Sequence, residues 1–187
     1  MANDLALFDY QDRAIQELRD NFKRGIRSQI LCMGTGAGKT ECAISLLEAT
    51  ARKGNRAAMV LDRIVLCDQT SARLDKYGID HGVIQAGHWR YRPHEKIQVC
   101  SAATLEKRGS FPGLDLLIVD ECHNIRKETA AFIQNNKHVR VIGLTATPFT
   151  KGLSELYSAI VSPVTAETLV ASGRLVPLRV FIAKEAD

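Results

Sequence analysis

Short apolar runs recur along the chain. They are Gln29-Ile30-Leu31-Cys32, Arg56-Ala57-Ala58-Met59-Val60-Leu61, Val83-Ile84-Gln85, Ile97-Gln98-Val99-Cys100, Leu116-Leu117-Ile118-Val119 and Val139-Arg140-Val141-Ile142-Gly143-Leu144. Runs this short, with little polar alternation, read as strands covered on both faces. Between them the apolar spacing changes to that of a helix. Ile15, Leu18, Phe22 and Ile26 share one face after Phe8-Asp9-Tyr10-Gln11. Leu66, Thr70, Leu74 and Tyr77 share another, opened by Asp62 as a cap and closed by Gly78. Ile125, Thr129, Phe132 and Ile133 make a third. A helix is expected around Ser154 to Val161, another from Ala166 to Ser172 stopped by Gly173, and a last strand from Pro177 to Ile182. Strands alternating with helices predict an α/β fold: a mostly parallel sheet with helices on both faces. No linker, repeat or low-complexity segment interrupts 1–187, so one domain is expected.

Composition narrows the class. The chain has 187 residues, 45% hydrophobic and 25% charged, enough for a substantial core. No apolar run approaches the roughly 20 residues of a membrane span. The start, Met1-Ala2-Asn3-Asp4, has no basic region or apolar signal core, so a cytoplasmic protein with no membrane partner is expected. The five cysteines lie mostly in apolar contexts without a C-x-x-C, which reads as buried thiols rather than a zinc site. A net charge of +4 is compatible with a polyanionic partner, but the basic residues are spread out.

The chemistry begins at Met33-Gly34-Thr35-Gly36-Ala37-Gly38-Lys39-Thr40, between the first strand and the helix that starts at Glu41. This is the context of a P-loop, with Met33 where the strict pattern has Gly. The three glycines let the backbone aim several N–H groups inward, where they and the helix N-terminus hold phosphate oxygens. Lys39 adds a charge that reaches β- and γ-phosphates, and the Thr40 hydroxyl suits Mg2+.

The most apolar strand delivers Asp120-Glu121-Cys122-His123 at its C-terminal end, where open α/β sheets bind ligands. Adjacent carboxylates repel, and a P-loop upstream supplies the reason for them. One holds Mg2+ and the other orients or deprotonates the water that attacks the γ-phosphate. Strand alternation sends the two to different sides.

Other residues leave two readings open. Gln11 offers the donor and acceptor that complement an adenine edge, with aromatics beside it to stack on a base; it also suits a plain helix start. The loop Ala86-Gly87-His88-Trp89-Arg90-Tyr91-Arg92-Pro93-His94 mixes aromatic and basic residues, which fits nucleic acid or a solvated surface. Ser101 and Thr104 open a helix, as phosphate contacts or as simple caps.

The chain resembles the first RecA-like domain of a superfamily-2 helicase of the DEAD/DEAH-like, type III restriction subunit-like group. Met33 to Thr40 matches motif I, Asp120-Glu121-Cys122-His123 motif II, Thr145-Ala146-Thr147 motif III and Gln11 the Q-motif. Val60 to Arg63 with Leu66 and Gln69 resembles motif Ia, and Gln98 to Leu105 a later nucleic-acid motif. The resemblance implies ATP and Mg2+ as cofactors. Tyr10, Gln11 and the loop Gly34, Thr35, Gly36, Ala37, Gly38, Lys39 and Thr40 would bind the nucleotide. Thr40 and Asp120 would hold Mg2+, and Glu121 would activate water. His123, Thr145 and Thr147 would couple the nucleotide to a nucleic-acid site near Arg63, Ser101 and Thr104. DNA is favoured over RNA as the partner. Phe8 stands where relatives often have Arg, and Ala103 where they often have Gln.

Helicases of this group take arginine fingers from a second RecA-like domain through Q-x-x-G-R-x-x-R. Here Gly173-Arg174 is flanked by Val170 and Pro177 and does not match. The expectation is therefore half of a motor, an ATPase that turns over slowly alone. A P-loop phosphotransferase shares motif I but leaves Thr145-Ala146-Thr147 unexplained. A nucleotide-gated binding module without turnover leaves Glu121 unexplained.

Overall fold

The computed structural model describes residues 5–176. Seven strands, β1 (Ser28–Cys32), β2 (Ala57–Leu61), β3 (Gly82–Ile84), β4 (Ile97–Ser101), β5 (Leu116–Val119), β6 (Arg140–Thr145) and β7 (Ala159–Val161), form one sheet. Their order is β3-β4-β2-β5-β6-β1-β7, and every pairing is parallel. The helices are α1 (Asp9–Lys23), α2 (Lys39–Arg52), α3 (Ile64–Lys76), α4 (Ala102–Arg108), α5 (Lys127–Asn135), α6 (Leu153–Leu156) and α7 (Ala166–Ala171). No described helix is long and apolar enough to cross a membrane.

The apolar runs are buried on both faces because alternate side chains enter two cores. Leu31, Met59, Val99, Ile118 and Ile142 pack with residues of α1, α2, α3 and α7 on one side. Ile30, Val60, Cys100, Leu117 and Val141 pack with α4, α5 and α6 on the other. Parallel neighbours require crossovers, so all strand C-termini lie at one end of the sheet. From β1 the chain passes over two positions to reach β2, and β5 and β6 fill the gap later. The C-terminal ends of β1 and β5 thus stand two strand spacings apart, about 10 Å.

A buried amide pair orients α1. Gln29 of β1 is fully buried. Its Oε1 accepts from Asn21 Nδ2 at 2.9 Å and its Nε2 donates to the Leu18 carbonyl at 2.9 Å. Both amide ends are satisfied, which a buried polar group needs. The pair docks α1 on β1, and the helix start then reaches the loop that follows β1.

Several expectations change. The helix expected from Ser154 to Val161 is one turn, α6, followed by β7, which pairs with β1 through Gln29↔Ala159, Ile30↔Ile160 and Leu31↔Val161. This three-residue edge strand has no period of its own, and the free side of β1 decides it. Ile26 and Ile125 lie outside α1 and α5, and Ile125 is exposed. Arg63, not Asp62, is the N-cap of α3. The strand expected from Pro177 to Ile182 lies outside the described residues.

Candidate nucleotide-binding site

The loop after β1 is shaped by two residues with left-handed backbone, Gly36 at φ +79° and Gly38 at φ +80°. L-side chains rarely adopt that conformation. A Cβ at Gly38 would also overlap the Gln11 amide. The Ala37 methyl is buried, and its carbonyl turns toward α1, accepting from Tyr10 Oη at 3.0 Å and Gln11 Nε2 at 3.2 Å. Thr35 and Gly36 face solvent, and Gly34 is half-buried. Lys39 and Thr40 open α2, and Lys39 Nζ folds back to donate to the carbonyls of Met33 at 2.9 Å and Gly34 at 3.3 Å. Its described hydrogen-bond partners are neutral carbonyls, so an anion placed at the helix start competes well for the ammonium.

Gln11 is held on both ends of its amide within the protein. Its side chain is buried. Oε1 accepts from the Phe8 N–H at 2.8 Å, the backward arm of a capping box. Nε2 donates to the carbonyls of Ala37 and Gly38. In this arrangement Gln11 braces the loop.

Asp120 and Glu121 leave the end of β5. The Asp120 N–H donates to Val60 O at 2.9 Å and the Cys122 N–H to Leu144 O at 3.0 Å, which stitches the turn to both neighbouring strands. Glu121 is the non-glycine residue with positive φ, 46°, among the described residues. Such strain costs energy and collects at working sites. Burial, and then the Glu121 charge, push the Asp120 carboxyl above its ordinary range, while Lys39 draws it down. A buried carboxylate disfavoured as an anion is improved by a cation beside it.

Thr145, at the end of β6 between the two, is fully buried and sits at the centre of the polar links. Its Oγ1 lies 2.9 Å from His123 Nδ1 and accepts from the Thr147 N–H at 3.0 Å. His123 Nδ1 is also 3.3 Å from Glu121 Oε2. The Met33 N–H donates to the Thr145 carbonyl at 3.1 Å, so one residue touches both loops. Beneath it, a Cβ at Gly143 would meet Cys122 Sγ at 2.6 Å and Tyr157 Cε1 at 2.9 Å. Only glycine lets the motif II turn sit this low.

The residues expected at a nucleic-acid surface divide. Arg63 is exposed at the start of α3. Ser101 and Thr104 are buried, and Thr104 Oγ1 accepts from the Ala86 N–H at 3.2 Å. The hydroxyls expected to face outward therefore do not. Thr104 is tied to the segment after β3, a contact that no local pattern shows. The sequence reading also missed a bidentate pair. Arg126 Nε and Nη2 donate to Asp62 Oδ1 at 2.9 and 2.6 Å, linking the segment after His123 to the residue beside Arg63.

This fold and site define a RecA-like domain of the superfamily-2 helicase class. The chain belongs to the family described as type III restriction enzyme, res subunit, whose pattern matches residues 4–150. Among curated proteins it is similar to the transcription-repair-coupling factor of Helicobacter pylori strain J99, 26% identical over 197 residues, covering 96% of this chain and 20% of that protein. The Bacillus subtilis factor is 28% identical over 169 residues, covering 78% of this chain and 14% of that protein. The chain thus spans a fifth or less of these relatives. Among solved structures, the UvsW helicase from Bacteriophage T4 matches with a TM-score of 0.71 and 18% identity, over 83% of this chain and 60% of that one. The type ISP restriction-modification enzyme LlaGI with a DNA substrate mimic matches at 0.70 and 19%, over 90% and 21%. The Sulfolobus solfataricus SWI2/SNF2 ATPase core with dsDNA matches at 0.64 and 20%, over 84% and 36%. These structural likenesses bear on the fold.

Proposed function

We propose that this chain is the Mg-ATP-binding motor domain of a superfamily-2 DNA helicase or translocase, which hydrolyses ATP to move on nucleic acid when paired with a second RecA-like domain. The observation that carries the reading is Thr145. One buried hydroxyl links His123 and, through the backbone, the loop that starts at Met33, so the loops after three neighbouring strands are one hydrogen-bonded unit.

The residues fit the chemistry. The N–H groups of Gly36 to Thr40 cradle a triphosphate, and Lys39 exchanges its loop carbonyls for phosphate oxygens. Thr40 and Asp120 would hold Mg2+, which neutralises charge on the β- and γ-phosphate oxygens when bound. The raised Asp120 carboxyl supports that assignment. Glu121 takes the proton of the attacking water as its oxygen bonds to the γ-phosphorus and the β–γ bridging bond breaks. His123, hydrogen-bonded to Thr145, carries the change at the phosphate toward Thr147 and the outer surface. DNA is preferred as the polymer because a type ISP restriction-modification enzyme in complex with a DNA substrate mimic and an SWI2/SNF2 ATPase core in complex with dsDNA share this fold. Residues 1–187 then form a single domain, and an arginine finger comes from a second one. Turnover measured without such a finger would be lower by about 10^3 to 10^5.

The test is steady-state Mg-ATP hydrolysis by this chain, alone and with single-stranded DNA, duplex DNA and RNA, beside Lys39→Ala. Retained ATP binding with slow hydrolysis, both lost in Lys39→Ala, is the expected outcome. ATP binding unchanged in Lys39→Ala overturns the reading.

A further inference from the structure

The end of the described chain folds back onto the nucleotide loop. α7 closes at Gly173, whose φ of +69° turns the chain. The N–H groups of Arg174 and Leu175 both donate to the Leu169 carbonyl, at 2.9 and 3.1 Å. Leu169 itself is buried in the core. This cap fixes where the next two side chains go. Leu175 Cδ2 lies 3.1 Å from the point a Cβ on Gly36 would occupy, so it rests on the loop itself. The Arg174 guanidinium lies over the Phe8 ring, 3.8 Å from its centroid, and 5.6 Å from that of Tyr10.

Phe8 and Tyr10 stand as a stacked pair, centroids 5.8 Å apart and 18° between planes, beside the loop that Tyr10 bonds at Ala37. Phe8 is half exposed, although it is a large apolar ring. Its face is the aromatic surface an adenine would use, and a planar cation already covers it. A guanidinium stacks on a base as readily as on a phenyl ring. Its long side chain lets it lift by one ring thickness while the cap holds its backbone.

We propose that Arg174 is the outer jaw of the base slot: the base of a bound nucleotide slides between the Phe8 ring and the Arg174 guanidinium. This rests on the nucleotide reading of the loop and adds a specificity residue to it. Arg174 takes its place on the base, whereas Lys39 and Thr40 act on the phosphates.

Inorganic tripolyphosphate separates the two ends, because it carries the phosphates without a base. Binding of ATP, ADP and tripolyphosphate with Mg2+ is measured by calorimetry on the parent chain, Arg174→Ala, Arg174→Lys, Phe8→Ala and Lys39→Ala. Arg174→Ala should weaken ATP and ADP about 3- to 30-fold and leave tripolyphosphate unchanged. Phe8→Ala should do the same, and Arg174→Lys should recover only part of the loss, since its charge has no plane. Lys39→Ala should weaken tripolyphosphate as well. Unchanged ATP affinity in Arg174→Ala overturns the proposal. Tighter ATP binding also overturns it, showing a plug instead of a jaw. An equal loss of tripolyphosphate overturns it too, showing a structural role. A parent chain that binds neither ligand overturns the nucleotide reading itself.

Discussion

The ends of β1, β6 and β5 and the ends of β2 and β4 make opposite use of polar residues. At the ends of β1, β6 and β5, polar side chains are held in hydrogen bonds: Lys39 by the carbonyls of Met33 and Gly34, and His123 by the Thr145 hydroxyl. These three strands are adjacent in the sheet, so their loops lie side by side and bond to one another. At the ends of β4 and β2, Ser101 and Thr104 are buried, and the exposed Arg63 has no cap role for its side chain. Phosphoryl transfer needs particular groups at particular points. Contact with a polymer backbone needs only cations near a surface and reads no sequence. The first leaves a motif in the chain, and the second leaves little.

The sharpest break of this contrast is Glu121→Gln. It should lower ATP hydrolysis about 10^2- to 10^4-fold while ATP binding, measured by calorimetry, stays near the parent value. Gly143→Val tests the packing under the same site. Its side chain runs into Cys122 and Tyr157 and should cost about 1–3 kcal/mol, seen as a fall in Tm of about 3 °C per kcal/mol. Asp120→Asn has the opposite sign. Burial holds the Asp120 carboxyl above its unfolded value, so its anion opposes folding at neutral pH. The amide should raise Tm at pH 7 while hydrolysis is lost, and an unchanged or lower Tm contradicts this electrostatic account.

At the ends of β2 and β4 the effects are smaller. Arg63→Ala should reduce the slope of log affinity against log salt for duplex DNA by about 1, while Ser101→Ala should leave DNA binding unchanged. Equal losses in a filter-binding titration would place the buried hydroxyl at the interface after all. His81 gives the mildest signal. It is fully buried, with Nε2 2.7 Å from Ser71 Oγ and Nδ1 2.9 Å from the Ile79 carbonyl. Burial, the largest cause, pulls its pKa below the ordinary 6.5. The unfolded chain therefore takes up the proton first as pH falls, and stability drops from about pH 6.5 downward until the folded pKa is passed. A Tm profile between pH 7.5 and 5 should slope less in His81→Gln than in the parent.

Much was settled by local sequence. Buried strands declare themselves because parallel strands covered on both faces admit little but apolar residues. The loop Gly34 to Thr40 and the pair Asp120-Glu121 stand out in the sequence because phosphate and metal chemistry would ask for those types at those spacings. The exceptions share a cause. β7 is a strand because β1 offers a free edge to pair with. Gln11 is a brace because α1 docks on β1 and brings its start under Ala37. Asp62 meets Arg126 and Arg174 covers Phe8 across long chain separations. Local spacing carries what a residue requires of its neighbours in the chain, whereas partners across the fold are chosen only when the sheet closes and two cores bring distant segments into contact.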